Sequence, residues 1–239
     1  MTTETVPEAR QREQWFFGLM AALAAAIVFA GFAPTYYLGP WFAAPALTPL
    51  VHLHGIVFTA WIALLALQVG LVATGRTYLH RRVGVAGAVL ALAMVVLGVA
   101  TAIVSAQLGH TPNPAIPPLS FMAIPLFAIV AFALLVGAGV ALRHRPQAHK
   151  RLMLLATIAI LGAAMARLPL GIVKAGGPPA FFGLTDLLVL ACVAYDLLTR
   201  RRVHPAWLLG GAVILASQVG SLLAAPSAPW LAFAHWLIS

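Results

Sequence analysis

Long apolar stretches alternate with short polar turns along this chain. Seven stretches have the roughly 20 predominantly apolar residues that a helix needs to cross a bilayer. They cover approximately residues 15–37, 49–73, 83–105, 118–142, 152–173, 179–198 and 205–225. Short connections place consecutive helices antiparallel and adjacent. The pattern therefore predicts an all-α membrane protein, a seven-transmembrane helix bundle.

The pattern also divides the chain into three parts. Residues 1–14 form a polar N-terminus, residues 15–225 the seven-helix domain and residues 226–239 a tail. After the first helix, the remaining six form three successive hairpins. The apolar part of the tail is too short to span, so we expect an interfacial segment on the outer surface.

Basic residues are distributed unevenly between the two sides of this bundle. All of the 14 Lys and Arg except Arg167 and Lys174 lie on one side if the N-terminus is cytoplasmic. The positive-inside rule then predicts an N-in, C-out orientation. Topology and contact with anionic lipid at the cytoplasmic face account for the net charge of +9. The composition, 62% apolar and 8% charged, does not favour nucleic-acid binding.

Three polar turns repeat the pattern Arg-x-x-x-His, at residues 76–80, 145–149 and 200–204. Each copy precedes an apolar stretch, so the repeat predicts three His at one depth of the cytoplasmic side. They would form a metal site, or with the neighbouring Arg side chains a site for an anion or a lipid head group. The alternative is that short cytoplasmic loops are basic in any case. The residues concerned are His80, His149 and His204, with Arg76, Arg145 and Arg200.

A second group of polar residues falls in the outer half of the predicted spans. Thr48-Pro49 has the features of a helix start, which places two His residues about one to two turns below the outer face. Intramembrane ionisable residues are costly and indicate function by default. The predicted cofactor-binding layer consists of His52, His54, Arg167, Asp186, Tyr37 and Gln218.

Geometry restricts this outer layer in two ways. Residues two apart on a helix project about 200° from each other, so only one of His52 and His54 can be central. A charge left alone at this depth is expensive, so we expect Arg167 to pair with Asp186. A purely structural bridge between the two helices is the alternative interpretation.

Several stretches resemble a widespread group of bacterial multi-pass membrane proteins for which no activity is established. They are FAPTYYL (32–38), HLHGIVFTAWIALLALQ (52–68), LHRRVG (79–84), HKRLMLLAT (149–157) and FFGLTDL (181–187). The resemblance covers nearly the whole chain. It implies a location in the bacterial inner membrane and assigns no reaction.

The residues alone leave three classes of function open. They do not show whether the protein is an enzyme. His dominates the ionisable residues inside the bundle, which favours a redox protein that binds haem b or a transition metal through His. An intramembrane metal-dependent hydrolase would use His52 or His54 with Asp186. In a non-catalytic carrier or assembly subunit, the polar layer would bind a lipid or a small molecule, for example a quinone-like one, or would only pack. The sequence has no HExxH, GxSxG or Walker motif, and the single Cys192 excludes an intramolecular disulfide.

Overall fold

The structure, a computed structural model, describes residues 6–111 and 116–239. Its regular secondary structure in these ranges is helical, without strands. The α-helices are α1 (Val6–Phe32), α2 (Pro49–Ala73), α3 (Thr77–Gln107), α4 (Pro118–Phe121), α5 (Ala123–Ala141), α6 (Pro146–Ile160), α7 (Gly162–Met165), α8 (Gly171–Arg200), α9 (Pro205–Ala224) and α10 (Ala228–Ile238).

Seven helical segments are long and apolar enough to cross a membrane. They are Glu8–Tyr37, Pro49–Ala73, Thr77–Gln107, Pro118–Ala141, Pro146–Met165, Gly171–Arg200 and Pro205–Ala224. The predicted all-α architecture with seven apolar spans is therefore confirmed. The turns that carry the Arg-x-x-x-His repeats lie at one end of the bundle, which we call the basic end.

The predicted boundary between the fifth and sixth spans is wrong. The fifth span ends at Met165, and α8 begins as early as Gly171. Pro169 lies between them and disfavours helical geometry in the residue before it. The chain bends again at Gly177, whose positive φ of 55° precedes Pro178-Pro179 inside α8. Glycine adopts that conformation at little steric cost.

Helix starts follow the capping residues that the sequence provides. Thr48 accepts a hydrogen bond from the Val51 amide, with Pro49 at the first helical position. Ser227 caps α10 in the same way, by accepting from the Trp230 amide. These caps satisfy amides that a helix start leaves without intrahelical partners.

Helix α5 lies centrally, packed against α3, α6 and α9, while α2 packs between α1 and α3. The core contains large, fully or almost fully buried side chains, among them Trp61, Phe132, Leu155 and Trp207. Trp61 also donates a 3.0 Å hydrogen bond to Thr157, which joins α2 to α6. Dispersion and hydrogen bonds of this kind hold membrane helices together, because lipid supplies no hydrophobic driving force between them.

The C-terminal segment forms the short helix α10, which packs on α3 and α4. The Trp230 indole donates to the Leu119 carbonyl at 2.9 Å, and the Gln107 amide donates to the Ile238 carbonyl at 3.0 Å. Ala234 is fully buried in this contact, whereas Trp236 is 68% exposed. The helix thus has one face against the bundle and one aromatic face outward.

Candidate functional site

A cavity of about 200 Å³ is lined by residues of every helix from α2 to α9 and lies away from the basic end. We call it the His54 cavity. Its wall is mainly apolar, with aromatic rings from Phe58, Phe121, Phe181 and Phe182. The polar side chains on its wall are His54, Thr101, Ser105, His110, Arg167, Thr185, Ser217, Gln218 and Ser221.

His54 reaches this cavity from the second turn of α2, which the Thr48 cap positions. Its ring stacks on Phe58, one turn further along the same face, with 4.0 Å between ring centroids. The Nδ1 atom is buried and makes no aligned hydrogen bond to the described residues, and the Leu97 carbonyl is the backbone acceptor near the ring. Such an atom costs about 1–3 kcal/mol when it is left unpaired.

Thr101 presents a second unpaired polar atom on the same wall. Its Oγ1 is buried and has no partner within residues 6–111 and 116–239. The neighbouring hydroxyls differ, because they donate to carbonyls of their own helices: Thr185 to Phe181 at 3.0 Å and Ser217 to Ile214 at 2.7 Å. The buried polar atoms of the described wall that lack a hydrogen-bond partner are therefore His54 Nδ1 and Thr101 Oγ1.

Arg167 borders the cavity from the segment between α7 and α8. It donates to the Ala163 carbonyl at 2.7 Å, and its guanidinium carbon lies 4.8 Å from the centroid of the Phe32 ring. The predicted ion pair with Asp186 is wrong, since no contact in the described chain joins the two. Gln218 is instead the side chain that can hydrogen-bond to Asp186.

The positions of the two residues explain the missing pair. Phe181, Phe182 and Thr185 of α8 line the cavity, and Asp186, one turn beyond Phe182, lies at the edge of this face near Gln218. Arg167 lies beyond the end of α7, where the bend before α8 sets its position.

The structure separates the six residues of the predicted outer layer. His54, Arg167 and Gln218 line one cavity. His52 is exposed, and its carbonyl accepts a 3.2 Å hydrogen bond from the Tyr36 hydroxyl. Tyr37 shares a 2.8 Å hydrogen bond with Thr59. His52, Tyr37 and Asp186 are absent from the described lining of the cavity.

At the basic end, only two of the three repeat His residues meet. The rings of His80 and His149 lie 6.1 Å apart, nearly perpendicular, and the His149 Nδ1 lies 2.8 Å from the Gly139 carbonyl. His204 instead begins α9, where its Nδ1 accepts from the Ala206 amide at 3.1 Å. The predicted convergence of three His is wrong, because α9 packs on α5 and α6 whereas α3 packs on α2 and α5.

The described residues also contain no group of three or more His, Cys, Asp or Glu that could hold a metal ion. Of the Arg residues in the repeats, Arg76 and Arg145 directly precede α3 and α6. Arg200 pairs with Glu13 and, at 3.5 Å, with Asp196. A three-His metal site with an Arg surround is therefore not assembled in the described structure.

A fully buried ion pair joins Arg151 to Asp196, and the sequence patterns did not predict it. Two nitrogens of the guanidinium contact the two carboxylate oxygens, at 2.6 and 3.2 Å. A third nitrogen donates to the side chain and the carbonyl of Gln147, at 2.7 and 2.9 Å. The His204 amide also donates to the carboxylate, at 3.1 Å. An Asp in a chain with only five acidic residues was the available signal for this pair.

This ion pair belongs to a network that joins four helices. Glu13 of α1 contacts Lys150 of α6 and Arg200 of α8. The guanidinium carbon of Arg151 lies 5.5 Å from the ring centroid of Trp207 on α9. Lys150, Arg151 and Arg200 each contact a carboxylate on a helix other than their own. The network therefore links helices to one another, which is a structural role.

Comparison with known proteins gave no match, whether against protein-family models, curated proteins or solved structures. The resemblance to bacterial multi-pass membrane proteins stays a prediction. The chemistry of the two ends of the bundle is what remains to indicate function.

Proposed function

We propose that this protein binds a small amphipathic molecule in the His54 cavity, and that a quinone-like ring is the part that enters. The observation that carries the proposal is that two buried polar atoms on one mainly apolar wall, His54 Nδ1 and Thr101 Oγ1, have no hydrogen-bond partner in the described residues. Arg167 adds a cation to the same wall. The protein would act from the bacterial inner membrane, with its basic end in the cytoplasm.

The size of the cavity favours a single ring. An apolar protein cavity of about 150 Å³ accommodates benzene, and the His54 cavity measures about 200 Å³. Pockets for larger ligands are roughly 300–1,000 Å³. A substituted six-membered ring therefore fits, with any long tail extending toward the lipid, whereas a haem macrocycle does not.

The chemistry of the wall matches a ring with two carbonyl oxygens. A neutral imidazole and a hydroxyl can each donate or accept a hydrogen bond, and the guanidinium only donates. They can therefore bind a quinone carbonyl, and the imidazole and hydroxyl can also bind the hydroxyl of its reduced form. Phe58 and Phe181 supply flat apolar surface beside the ring.

The two metal-based functions draw less support from the arrangement of side chains. Catalytic zinc is typically held by three protein ligands, and the described residues offer no such group. A bis-His haem needs two His on facing sides of the macrocycle. Of the two His on the described wall, His54 belongs to a span and His110 lies beyond the end of α3. A redox role would then reside in the bound quinone-like molecule.

Binding of a short-tail benzoquinone to the purified protein in nanodiscs tests the proposal by titration calorimetry. We expect saturable binding at one site, weakened about tenfold in His54→Leu, the equivalent of 1.4 kcal/mol. Thr101→Val should weaken binding in the same direction. His52→Leu is the matched control, because His52 lies two residues away on the exposed side of α2.

Three outcomes would contradict the proposal. If the wild type shows no saturable binding, the ligand is not quinone-like. If His54→Leu and His52→Leu lose affinity for the benzoquinone equally, the His54 cavity is not the binding site. A fatty acid of matched tail length is the competing ligand. If it binds more tightly than the benzoquinone, Arg167 recognises a carboxylate and the ring assignment is wrong.

A further inference from the structure

A second cavity opens between α5, α6 and α9 at the basic end, with a volume of about 660 Å³. We call it the α5–α9 groove. Most of its wall is apolar. Its apolar side chains include those of Leu134, Leu135, Ala138, Leu142, Leu209 and Val213.

The groove opens toward the lipid side of the bundle. Leu134 and Leu209, on its two flanking helices, are 58% and 70% exposed. Both α5 and α9 belong to membrane-spanning segments. An exposed apolar channel in a membrane-spanning segment can hold the acyl chain of a lipid. The His54 cavity is a separate space, which lies further inside the bundle and away from the basic end.

The groove ends at three nitrogen-bearing side chains, those of Arg145, Gln147 and His204, of which Gln147 already accepts a hydrogen bond from Arg151. Arg145 is exposed and takes part in no ion pair in the part of the chain that the structure describes. It differs in this respect from Lys150, Arg151 and Arg200, whose charges are met by Glu13 and Asp196. The cation at the groove is thus available to an external anion.

His204 presents a hydrogen-bond donor beside Arg145. Its Nδ1 accepts a hydrogen bond from the Ala206 amide, which puts the proton of the neutral ring on Nε2. Burial, and then the charge of Arg151, lowers the pKa of His204, so the ring is neutral at pH 7. A neutral donor next to a full cation suits a head group with a single negative charge.

We propose that the α5–α9 groove binds one anionic phospholipid, with an acyl chain along its leucines and the phosphate at Arg145 and His204. A zwitterionic lipid would place its own cation near Arg145, whereas an anionic one adds no such repulsion. A basic residue at the membrane surface contributes about 1 kcal/mol to the binding of anionic lipid, or about fivefold in affinity.

Native mass spectrometry of the delipidated full chain tests the proposal, with phosphatidylglycerol and phosphatidylcholine of identical acyl chains as probes. We expect the first phosphatidylglycerol to bind about fivefold more tightly than phosphatidylcholine. Arg145→Gln should abolish that difference. Arg143→Gln is the matched control, because Arg143 is an exposed cation on the same turn, outside the described lining of the groove.

A second pair of variants tests the acyl chain separately from the phosphate. Ala138→Phe places a ring in the groove, so it should weaken binding of both lipids. Gly137→Phe is the control, since a side chain at Gly137 would meet open space and this residue is outside the described lining. Thermal unfolding of each variant in detergent verifies that the fold is intact.

The proposal is overturned by any of three results. They are equal affinity of the wild type for the two lipids, equal losses of selectivity in Arg145→Gln and Arg143→Gln, or unchanged binding in a folded Ala138→Phe variant. Displacement of phosphatidylglycerol by millimolar inorganic phosphate would also overturn it, because a free anion would then account for the site. The His54 cavity is a separate site, so these results leave its test unaffected.

Discussion

Arg151 places a full positive charge in the interior of a membrane-spanning bundle. Its side chain is completely buried, as is that of its partner Asp196. A charge is tolerated there only when its hydrogen-bonding groups are matched, and the guanidinium is matched by two carboxylate oxygens and by Gln147. Removal of either partner would leave the other as an uncompensated buried charge.

We therefore predict that Asp196→Asn lowers the free energy of unfolding by about 3–5 kcal/mol. Asp186→Asn is the matched control, because Asp186 lies on the same helix and contacts a neutral Gln218. Unfolding by SDS in mixed micelles measures both. The paired replacement of Arg151 by Met and Asp196 by Leu should recover most of the loss. Similar decreases in the free energy of unfolding for Asp196→Asn and Asp186→Asn would show that the buried ion pair contributes no more than an ordinary polar contact.

His204 gives a prediction about pH. Protonation of its Nδ1 would remove the cap that the Ala206 amide uses, and the pKa of His204 lies below its ordinary value of 6.5 in the folded protein, because of burial and then Arg151. The unfolded chain therefore takes up this proton more readily, and stability falls as the pH drops below about 6.5. His204→Asn keeps a capping side chain that does not titrate.

Thermal unfolding in detergent between neutral and mildly acidic pH measures this effect. The melting temperature of His204→Asn should fall less with acidification than that of the wild type. Parallel pH profiles for the two proteins would assign the acid sensitivity to other groups.

At the scale of elements, close approach of α1 to α7 positions the wall of the His54 cavity. A methyl group on Gly31 would meet the Ala164 carbonyl group, with the carbonyl carbon at 2.8 Å. Because backbone cannot move aside as a flexible side chain can, glycine is required at this contact. The contact holds α7 next to the bend that carries Arg167.

Gly31→Ala should accordingly destabilise the protein by about 1–3 kcal/mol, the usual cost of overpacking. Gly18→Ala on the same helix is the control, since its methyl group would meet nothing within 4 Å. There the change should be neutral or slightly stabilising, because Ala favours helix over Gly. Equal unfolding free energies for the two variants would contradict the close contact.

At the scale of the whole molecule, the distribution of basic residues predicts which end faces the cytoplasm. Cys192 is fully buried, so a labelling reagent in water meets only introduced cysteines. His110 and His144 are exposed at opposite ends of the bundle. In spheroplasts of an expression host, a membrane-impermeant maleimide should label His110→Cys at once and His144→Cys only after permeabilisation. The reverse order would invert the topology.

The sequence by itself determined the number of spans and the start of α2. Spanning depends on the length of an apolar stretch and on internal satisfaction of backbone hydrogen bonds, and both are properties of local sequence. The Thr48-Pro49 cap is equally local. The predicted boundary near residue 173 failed because the run of apolar residues continues through Pro169, where the helix does not.

Only the tertiary structure decided which polar residues meet. The sequence placed Arg167, Asp186 and His54 at similar depths, but depth does not fix the rotation of a helix about its axis. Thr185 lines the cavity, whereas Asp186, the next residue on α8, is outside its described lining and close to Gln218. The predicted span 152–173 leaves Arg151 outside the bilayer, yet packing of α6 against α8 buries it against Asp196. Partners of this kind come from distant parts of the chain, so no local pattern can identify them.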